Sequence, residues 1–524
     1  MPLDTRDVAA DEFSCPQTDP TKPMTEHRHI VIVGAGFGGI GLVIKLRKAG
    51  FDDILVLERA DDVGGTWQHN NYPGCACDVP SHLYSFSFEP KPNWSRIYGR
   101  RDEILDYARS VAARHYVSRN VRFGCEMLSA RWDDDRFRWE LQTTSGPLSA
   151  DVLISAVGPF GRPTTPNFPG LDRFAGKIMH SFEWDHGYDL SGKRVAVIGT
   201  GASAVQIIPE IQPVVSELRV FQRTPCWIMP RFDWRTSATE HRLAGITLLR
   251  KSIRALQYLL YESYGTFNFI DNRFAYLFEA VARTYLRVQV RDANVRRKLT
   301  PGYRIGCKRA AVSSTYLPTF NRSNVELVTE SIHEIQPDGI VTADGVKHPI
   351  DVIVLATGFA LRHRMADEIS GQGGHSLAAA YDGRPEGYLG TAVSGFPNLL
   401  FTSGPFGGAA NQSFIYMLES QFGFIVDTLS RMRRDGITTI DVKPQAQEHF
   451  VAEAEQRSAN TIWLNGGCSG YYTTADGKHN AGLWPDWSFN YRRRTKAFEP
   501  ADFDLDFRSE APASAVPETT PKGA

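Results

Sequence analysis

Twice in this chain a short apolar run breaks into a glycine-rich turn and then into a helix-forming stretch. Ile30-Val-Ile-Val33 runs into Gly34-Ala-Gly36-Phe-Gly38-Gly39, and Arg194-Val-Ala-Val-Ile198 runs into Gly199-Thr-Gly201-Ala-Ser203-Ala204. A continuously apolar strand suits the middle of a parallel sheet. A glycine turn at its end lets the first amides of the next helix approach a pyrophosphate. The first unit continues with a helix from Ile40 to Ala49 and a second strand, Ile54-Leu-Val-Leu57, ending in Glu58. Strand, glycine turn, helix, strand, acid is the context that raises a bare glycine match to a dinucleotide site. The expected fold class is therefore α/β, with two Rossmann-like dinucleotide-binding domains.

The two units end differently. At Glu58 a carboxylate accepts from ribose hydroxyls and repels a 2′-phosphate, which suits FAD or NAD. The second unit's next strand, Leu218-Arg-Val-Phe-Gln-Arg223-Thr224, ends in a cation and a hydroxyl. Arginine meets phosphate bidentately, so that end suits the 2′-phosphate of NADPH. One acid-ended and one arginine-ended unit predict FAD on the first and NADPH on the second.

At 524 residues and a formal net charge of −1, the chain has room for two or three domains and no charge bias toward a nucleic acid. Its seven cysteines (15, 75, 77, 125, 226, 307 and 468) are few and odd in number, which reads as reduced intracellular thiols rather than a disulfide framework. None of their spacings suits zinc, and no metal site is expected. The first 29 residues hold no apolar core of a signal peptide, and no apolar run is long enough to span a bilayer. The expected location is cytoplasmic, with no obligatory membrane. Residues 1–27 and 501–524 have the composition of disordered ends.

Between the two glycine loops, Gly64-Gly65-Thr66-Trp67 through Tyr72-Pro73-Gly74-Cys-Ala-Cys-Asp78 reads as an irregular loop. Residues 95–119 read as a helix, and the alternation around 121–141 as a small antiparallel excursion. Residues 231–297 read as a helical insertion rich in Leu, Tyr and Phe. Within it, Leu248–Tyr264 carries Lys251 and Arg254 beside apolar residues and reads as an interdomain or substrate-covering layer.

A stretch between the two units is more specific than either loop. Phe174-Ala-Gly176-Lys-Ile-Met-His180-Ser-Phe-Glu-Trp184-Asp185 has the pattern F-x-G-x-x-x-H-x-x-x-W-D. Flanked by two dinucleotide loops, it resembles the fingerprint of type I Baeyer–Villiger monooxygenases, which insert oxygen beside a ketone carbonyl. Flavin-containing monooxygenases of nitrogen and sulfur carry a close variant, usually without the Trp, and are the alternative. The G-G-x-W…Y-P-G…D loop is a second match, and the strand Asp351–Leu355 before Ala356-Thr357-Gly358 resembles the family's return from the NADPH to the FAD domain.

The resemblance implies an FAD domain over 28–165 and 351–500, an NADPH domain over 166–230 and 298–350, and the insertion 231–297 inside the latter. It places Gly34, Gly36, Gly39, Glu58, Gly65, Thr66, Trp67 and Asp78 at FAD, and Gly199, Gly201, Ser203, Arg223, Thr224 and Lys308 at NADPH. Arg309 falls beside the flavin with Asp78 as its carboxylate, and these two are the expected catalytic pair. Reduced flavin and oxygen give an anionic peroxide, which a preorganised guanidinium holds nucleophilic for attack on a ketone. Phe174, Gly176, His180, Trp184 and Asp185 take structural roles, coupling NADPH binding to domain motion. The implied partners are a small-molecule ketone and O2. Two departures stand out: Ala76 replaces the family's usual Arg, and Gly470 replaces a Trp in the C-terminal segment, which predicts added room near the substrate.

Overall fold

The computed structural model describes residues 26–265, 274–359, 365–410, 412–468 and 470–507. The first apolar run becomes β1 (Glu26–Val33), with Ile30, Val31 and Ile32 fully buried. It is followed by α1 (Phe37–Lys48), β2 (Ile54–Leu57), the short α2 (Thr66–His69) and α3 (Arg101–Arg114). β3 (Val121–Arg122), β4 (Met127–Asp133), β5 (Arg138–Thr143) and β6 (Gly146–Ser155) complete this part of the chain. β1 lies between β2 and β6, parallel to both, in the register Ile30↔Ile54 and Ile30↔Val152. β4 and β5 form the antiparallel excursion, and the first half of β6 joins it.

The second unit builds a separate sheet. β7 (Lys177–His180), β8 (Arg194–Ile198), α4 (Ala202–Ile211) and β9 (Glu217–Phe221) precede β10 (Ile228–Met229) and the insertion. The insertion is α5 (Ala238–Gly245), α6 (Thr247–Gly265), α7 (Ala275–Gln289) and α8 (Ala293–Lys298). β11 (Ala311–Val312) then pairs with β10, α9 (Tyr316–Thr319) follows, and β12 (Val325–Val328) joins β9. A three-stranded antiparallel meander of β13 (Ile332–Gln336), β14 (Gly339–Thr342) and β15 (Lys347–Pro349) leads into β16 (Val352–Leu355). The five-stranded sheet has the order β12-β9-β8-β16-β7, parallel throughout.

The chain then returns to the first sheet. β17 (Ile369–Ser370) pairs with β4, and after α10 (Leu377–Tyr381) the strand β18 (Leu399–Phe401) pairs with the second half of β6. α11 (Phe414–Asp435) packs along α1, and β19 (Ile437–Val442) closes on β20 (Phe503–Phe507).

Five expectations are corrected. β16 belongs to the second sheet, between β8 and β7, so the boundary at 351 moves past Gly358, where the backbone turns at φ 85°. The helix expected over 95–119 is only Arg101–Arg114: Gly99 precedes its first turn, and Tyr116 ends it in the left-handed region. Glu26 and His27, assigned to a disordered end, pair with Leu148 and Ser149. Phe503-Asp-Leu-Asp-Phe507, assigned to the other, alternates apolar and acidic residues at the period of a strand and pairs with β19. The rest of those two ends, 1–25 and 508–524, lies outside the described residues. Finally, the cysteines are not all thiols: Cys307 and Cys468 are joined by a disulfide across 161 residues, while Cys75, Cys77, Cys125 and Cys226 are free. A count and a spacing do not reveal a pair that only the fold brings together.

Candidate active site

Arg309 and Asp78 meet between the two sheets. Arg309 donates from Nε to Asp78 Oδ2 at 2.7 Å and from Nη2 to Oδ1 at 2.8 Å, a two-point ion pair. Its third nitrogen reaches toward the Ala410 carbonyl at 3.5 Å, in the glycine loop that precedes α11. Chain on both sides fixes the arginine. Cys307 is bonded to Cys468 just before it, and Ala311 donates to the Trp227 carbonyl at 2.9 Å just after it, opening the β10–β11 ribbon.

Asp78 is held from its own side. Cys77 donates its N–H to the Gly99 carbonyl, and the Tyr261 hydroxyl of the insertion donates to the Asp78 carbonyl at 3.3 Å. Burial pushes the Asp78 carboxyl up, but the charge and hydrogen bonds of Arg309, with Arg231 behind them, more than reverse this and leave it below the usual range. Asp78 in turn raises Arg309 well above an ordinary arginine, although burial opposes it. Protein surrounds the pair, yet 34% of the Arg309 side chain and 29% of Asp78 stay accessible, so the pair lines a cleft rather than the core. A permanently charged guanidinium facing a cleft can stabilise an anion that forms there.

Arg231 is a site neighbour that the sequence did not single out, and it is joined by Tyr471 and Tyr472 of the C-terminal segment. The Arg231 guanidinium sits 5.0 Å from the Tyr98 ring and donates to the Cys77 carbonyl at 3.4 Å. Tyr471 and Tyr472 stack edge-on at 4.4 Å, and Tyr472 packs in one cluster with Ala410, whose carbonyl Arg309 reaches toward. The doubled tyrosine beside Gly470 was visible in the sequence; Arg231 had no local signal. The room expected at Gly470 is bordered by the aliphatic stem of Lys308, about a van der Waals contact away at 3.5 Å.

The residues around the first glycine loop fit FAD. α1 starts after Gly36 with no side-chain cap and no acid in its first turn, leaving its leading amides for an anion. A Cβ at Gly39 would lie 2.0 Å from the Gly34 carbonyl oxygen, so the helix comes this close to the turn only with glycine there. Gly65 packs against Gly36, Thr66 opens α2, and buried Trp67 donates Nε1–H to the Tyr84 hydroxyl at 3.1 Å. Glu58 is 5% exposed and accepts from Ala35 N–H at 2.7 Å and Ala60 N–H at 2.9 Å. Each oxygen keeps a second lone pair for a ribose hydroxyl.

The second loop fits NADPH by a different means. α4 starts after Gly201, again without a side-chain cap or acid in its first turn, with Gly199 at φ 116° before it. Ser203 stands in the first turn of α4, and the Thr224 carbonyl accepts from the Thr200 hydroxyl at 2.9 Å. Arg223 is exposed, and neither it nor Lys308 has a carboxylate partner among the described residues. Burial first, and the like charge of Arg223 second, pull Lys308 below an ordinary lysine. Two unpaired cations close enough to repel each other suit a phosphate.

At Ala76, where the family carries Arg, the backbone is satisfied from the second unit. Gln206 on α4 donates to the Ala76 carbonyl at 3.0 Å and accepts from Ala76 N–H and the Tyr72 hydroxyl. The fingerprint forms the edge of the second sheet. Phe174 is buried in its core, and a Cβ at Gly176 would lie 2.2 Å from the Asp351 carbonyl oxygen. His180 ends β7 with Nδ1 accepting from Phe182 N–H at 3.0 Å and Nε2 without a hydrogen-bond partner among the described residues. Burial lowers its pKa. Trp184 is buried, and Asp185 pairs with Lys177 at 2.6 Å. None of these five residues touches the Arg309–Asp78 pair through a hydrogen bond or ion pair.

Residues 31–238 match the pyridine nucleotide-disulphide oxidoreductase family. A Baeyer–Villiger monooxygenase of Streptomyces coelicolor is 42% identical over 490 residues, 92% of this chain and 93% of that protein. Among solved structures, an oxidized steroid monooxygenase bound to NADP matches with a TM-score of 0.81 and 31% identity over 91% of this chain and 99% of that one. OTEMO in complex with FAD and NADP matches with a TM-score of 0.83 and 27% identity over 92% of this chain and 100% of that one. At this identity over nearly its whole length, the chain belongs to the Baeyer–Villiger monooxygenases.

Proposed function

We propose that the chain binds its ketone in the cleft lined by Arg309, with Asp78 holding that arginine in place. The enzyme is an FAD- and NADPH-dependent monooxygenase that uses O2 to convert a ketone into an ester or lactone. FAD, once reduced by NADPH, supplies the activated oxygen. The protein supplies the rest. Amides at the starts of α1 and α4 receive the two pyrophosphates, Glu58 orients the FAD ribose, and Arg223 with Lys308 selects the 2′-phosphate. FAD is assigned to the eight-stranded sheet and NADPH to the five-stranded one.

Arg309 holds negative charge on the oxygen that attacks the carbonyl, and Asp78 keeps the guanidinium aimed without neutralising all five of its N–H donors. The two-point ion pair in an accessible cleft is the observation that carries this reading. His180 and Trp184 have no place in the chemical step; they join β7 to the core and act on domain position. Cyclic and bulky ketones are the proposed substrate class, because Gly470 leaves space on the substrate side.

The test is NADPH- and O2-dependent ester formation from a panel of cyclic, aromatic and steroid ketones, with wild type beside Arg309→Ala. The variant is expected to lose about 10²–10³ in turnover while still being reduced by NADPH. Full turnover in the variant would remove Arg309 from the mechanism. Oxidation of amines or sulfides in place of ketones would favour the heteroatom-oxygenating alternative.

A further inference from the structure

We propose that the Cys307–Cys468 disulfide is a positioning element that fixes the substrate-side loop, residues 466–468 and 470–482, beside the Lys308–Arg309 segment, so that its redox state sets the affinity for the ketone. The inference rests on the ketone reading of the Arg309 cleft.

The loop stands on two feet of different construction. At its far end Asn480 accepts from Gly482 and Leu483 N–H, donates to Ser458 Oγ and the Leu483 carbonyl, and is almost wholly buried. Trp484 N–H adds a bond to the Gly408 carbonyl at 2.7 Å. That foot is a hydrogen-bond network anchored in the core. At the near end Arg304 N–H donates to the Gly466 carbonyl at 2.9 Å, Tyr472 packs on Trp463 with ring centroids 5.9 Å apart, and the covalent link from Cys307 to Cys468 adds to these two. Gly466 is shaped for this approach: a Cβ there would lie 2.5 Å from the Cys307 Cβ.

What hangs between the feet faces the site. A Cβ at Gly470 would lie 3.5 Å from the stem of Lys308, and Tyr472 packs in one buried cluster with Ala410, whose carbonyl Arg309 reaches toward. Cys307 immediately precedes Lys308 and Arg309, so one bond clamps the segment that carries both cations to the segment that carries both tyrosines. Opening it frees the chain between Gly466 and the packed Tyr472, and Tyr471, which is exposed, must then be ordered each time a ketone binds. On the other side, Arg309 stays held by Asp78 and by the β10–β11 ribbon. The expected cost therefore falls on ketone binding and not on the NADPH half-reaction.

The chemistry balances with ordinary partners. A small dithiol reduces the bond: its thiolate attacks the half-buried Cys468 sulfur, Cys307 leaves as a thiolate and takes a proton, and the dithiol closes into its own disulfide. Hydrogen peroxide restores the bond, taking two electrons from the two thiols as one S–S bond and two waters form.

The experiment uses FAD-loaded enzyme in three forms: as isolated with the bond confirmed by mass spectrometry, reduced with dithiothreitol and capped by iodoacetamide, and Cys468→Ser. Ketone KM is expected to rise about three- to tenfold in the second and third forms, with kcat, NADPH KM and the anaerobic rate of flavin reduction within twofold. Hydrogen exchange in a peptide spanning 470–482 is expected to quicken in both. Unchanged exchange and unchanged ketone KM in the fully reduced enzyme overturn the inference. An equal rise in NADPH KM also overturns it, since the bond would then brace the second dinucleotide unit. Should the bonded enzyme form no ester from any ketone, the function proposed above fails, and the exchange measurement still decides whether the bond holds the loop.

Discussion

The two dinucleotide units share a plan and differ in how finished they are before any cofactor arrives. In the first, the acid at the end of β2 is buried, and both its oxygens already accept backbone N–H groups of the surrounding turn. In the second, the arginine after β9 is exposed, and it and Lys308 are like charges with no carboxylate partner among the described residues. The third small residue of each loop repeats the contrast: Gly39 leaves no room for a Cβ, whereas the second loop carries Ala204 at the matching place, fully buried. A site whose recognition groups are part of the fold suits a cofactor that stays. A site held open by mutual repulsion suits one that binds, gives up its hydride and leaves.

The largest effect that tests the contrast comes from swapping those small residues. Gly39→Ala puts a carbon 2.0 Å from the Gly34 carbonyl oxygen, so the purified variant is expected to lack FAD absorbance and to melt well below wild type. Ala204→Gly is expected to cost only about 0.5–1 kcal/mol and to keep both cofactors. If Gly39→Ala retains FAD, the first loop is less rigid than described.

Next in size is Arg223→Ala, expected to raise the NADPH KM about tenfold to a hundredfold and to narrow the preference over NADH, with kcat unchanged. Steady-state kinetics with both nucleotides decide this, and an unaltered preference would exclude Arg223 from the 2′-phosphate. Glu58→Gln is expected to act on the fold more than on exchange. The amide turns an N–H₂ toward one of the two backbone donors while its oxygen keeps the other, costing about 1–3 kcal/mol, visible as a lowered melting temperature of the FAD-loaded protein. A variant that melts like wild type but releases FAD would mean that Glu58 serves the ribose alone.

The smallest effect is in pH. Lys308 loses its proton at lower pH than an ordinary lysine, because burial and Arg223 disfavour its charge. NADPH KM should therefore climb on the alkaline side as that cation is lost, and the climb should begin at higher pH in Arg223→Ala, which removes the like charge. A pH profile that does not move between wild type and variant would separate the two cations.

Much of this architecture was legible because it is written in short-range patterns. Apolar runs of four or five residues, a glycine turn and a terminal acid or arginine are local features, and they forecast the parallel strands at the centre of each sheet. Boundaries were read less well. β16 looked like the start of the returning FAD domain because the A-T-G turn follows it, but its register against β7 and β8 places it in the second sheet. The final strand was passed over because its two aspartates, 504 and 506, resembled the polar tail beyond it; they occupy the outward positions of a period of two.

The sequence alone determined the fold class, the two glycine turns and the acid–arginine difference between the units, since backbone periodicity and turn sterics act over a few residues. The resemblance paired Arg309 with Asp78. The tertiary structure supplied the two-point contact across 231 positions, set Arg231 behind the carboxylate and tied Cys307 to Cys468. Such meetings depend on the summed path of two sheets, an insertion and a returning chain. No local spacing encodes that sum, and the site exists only where those paths cross.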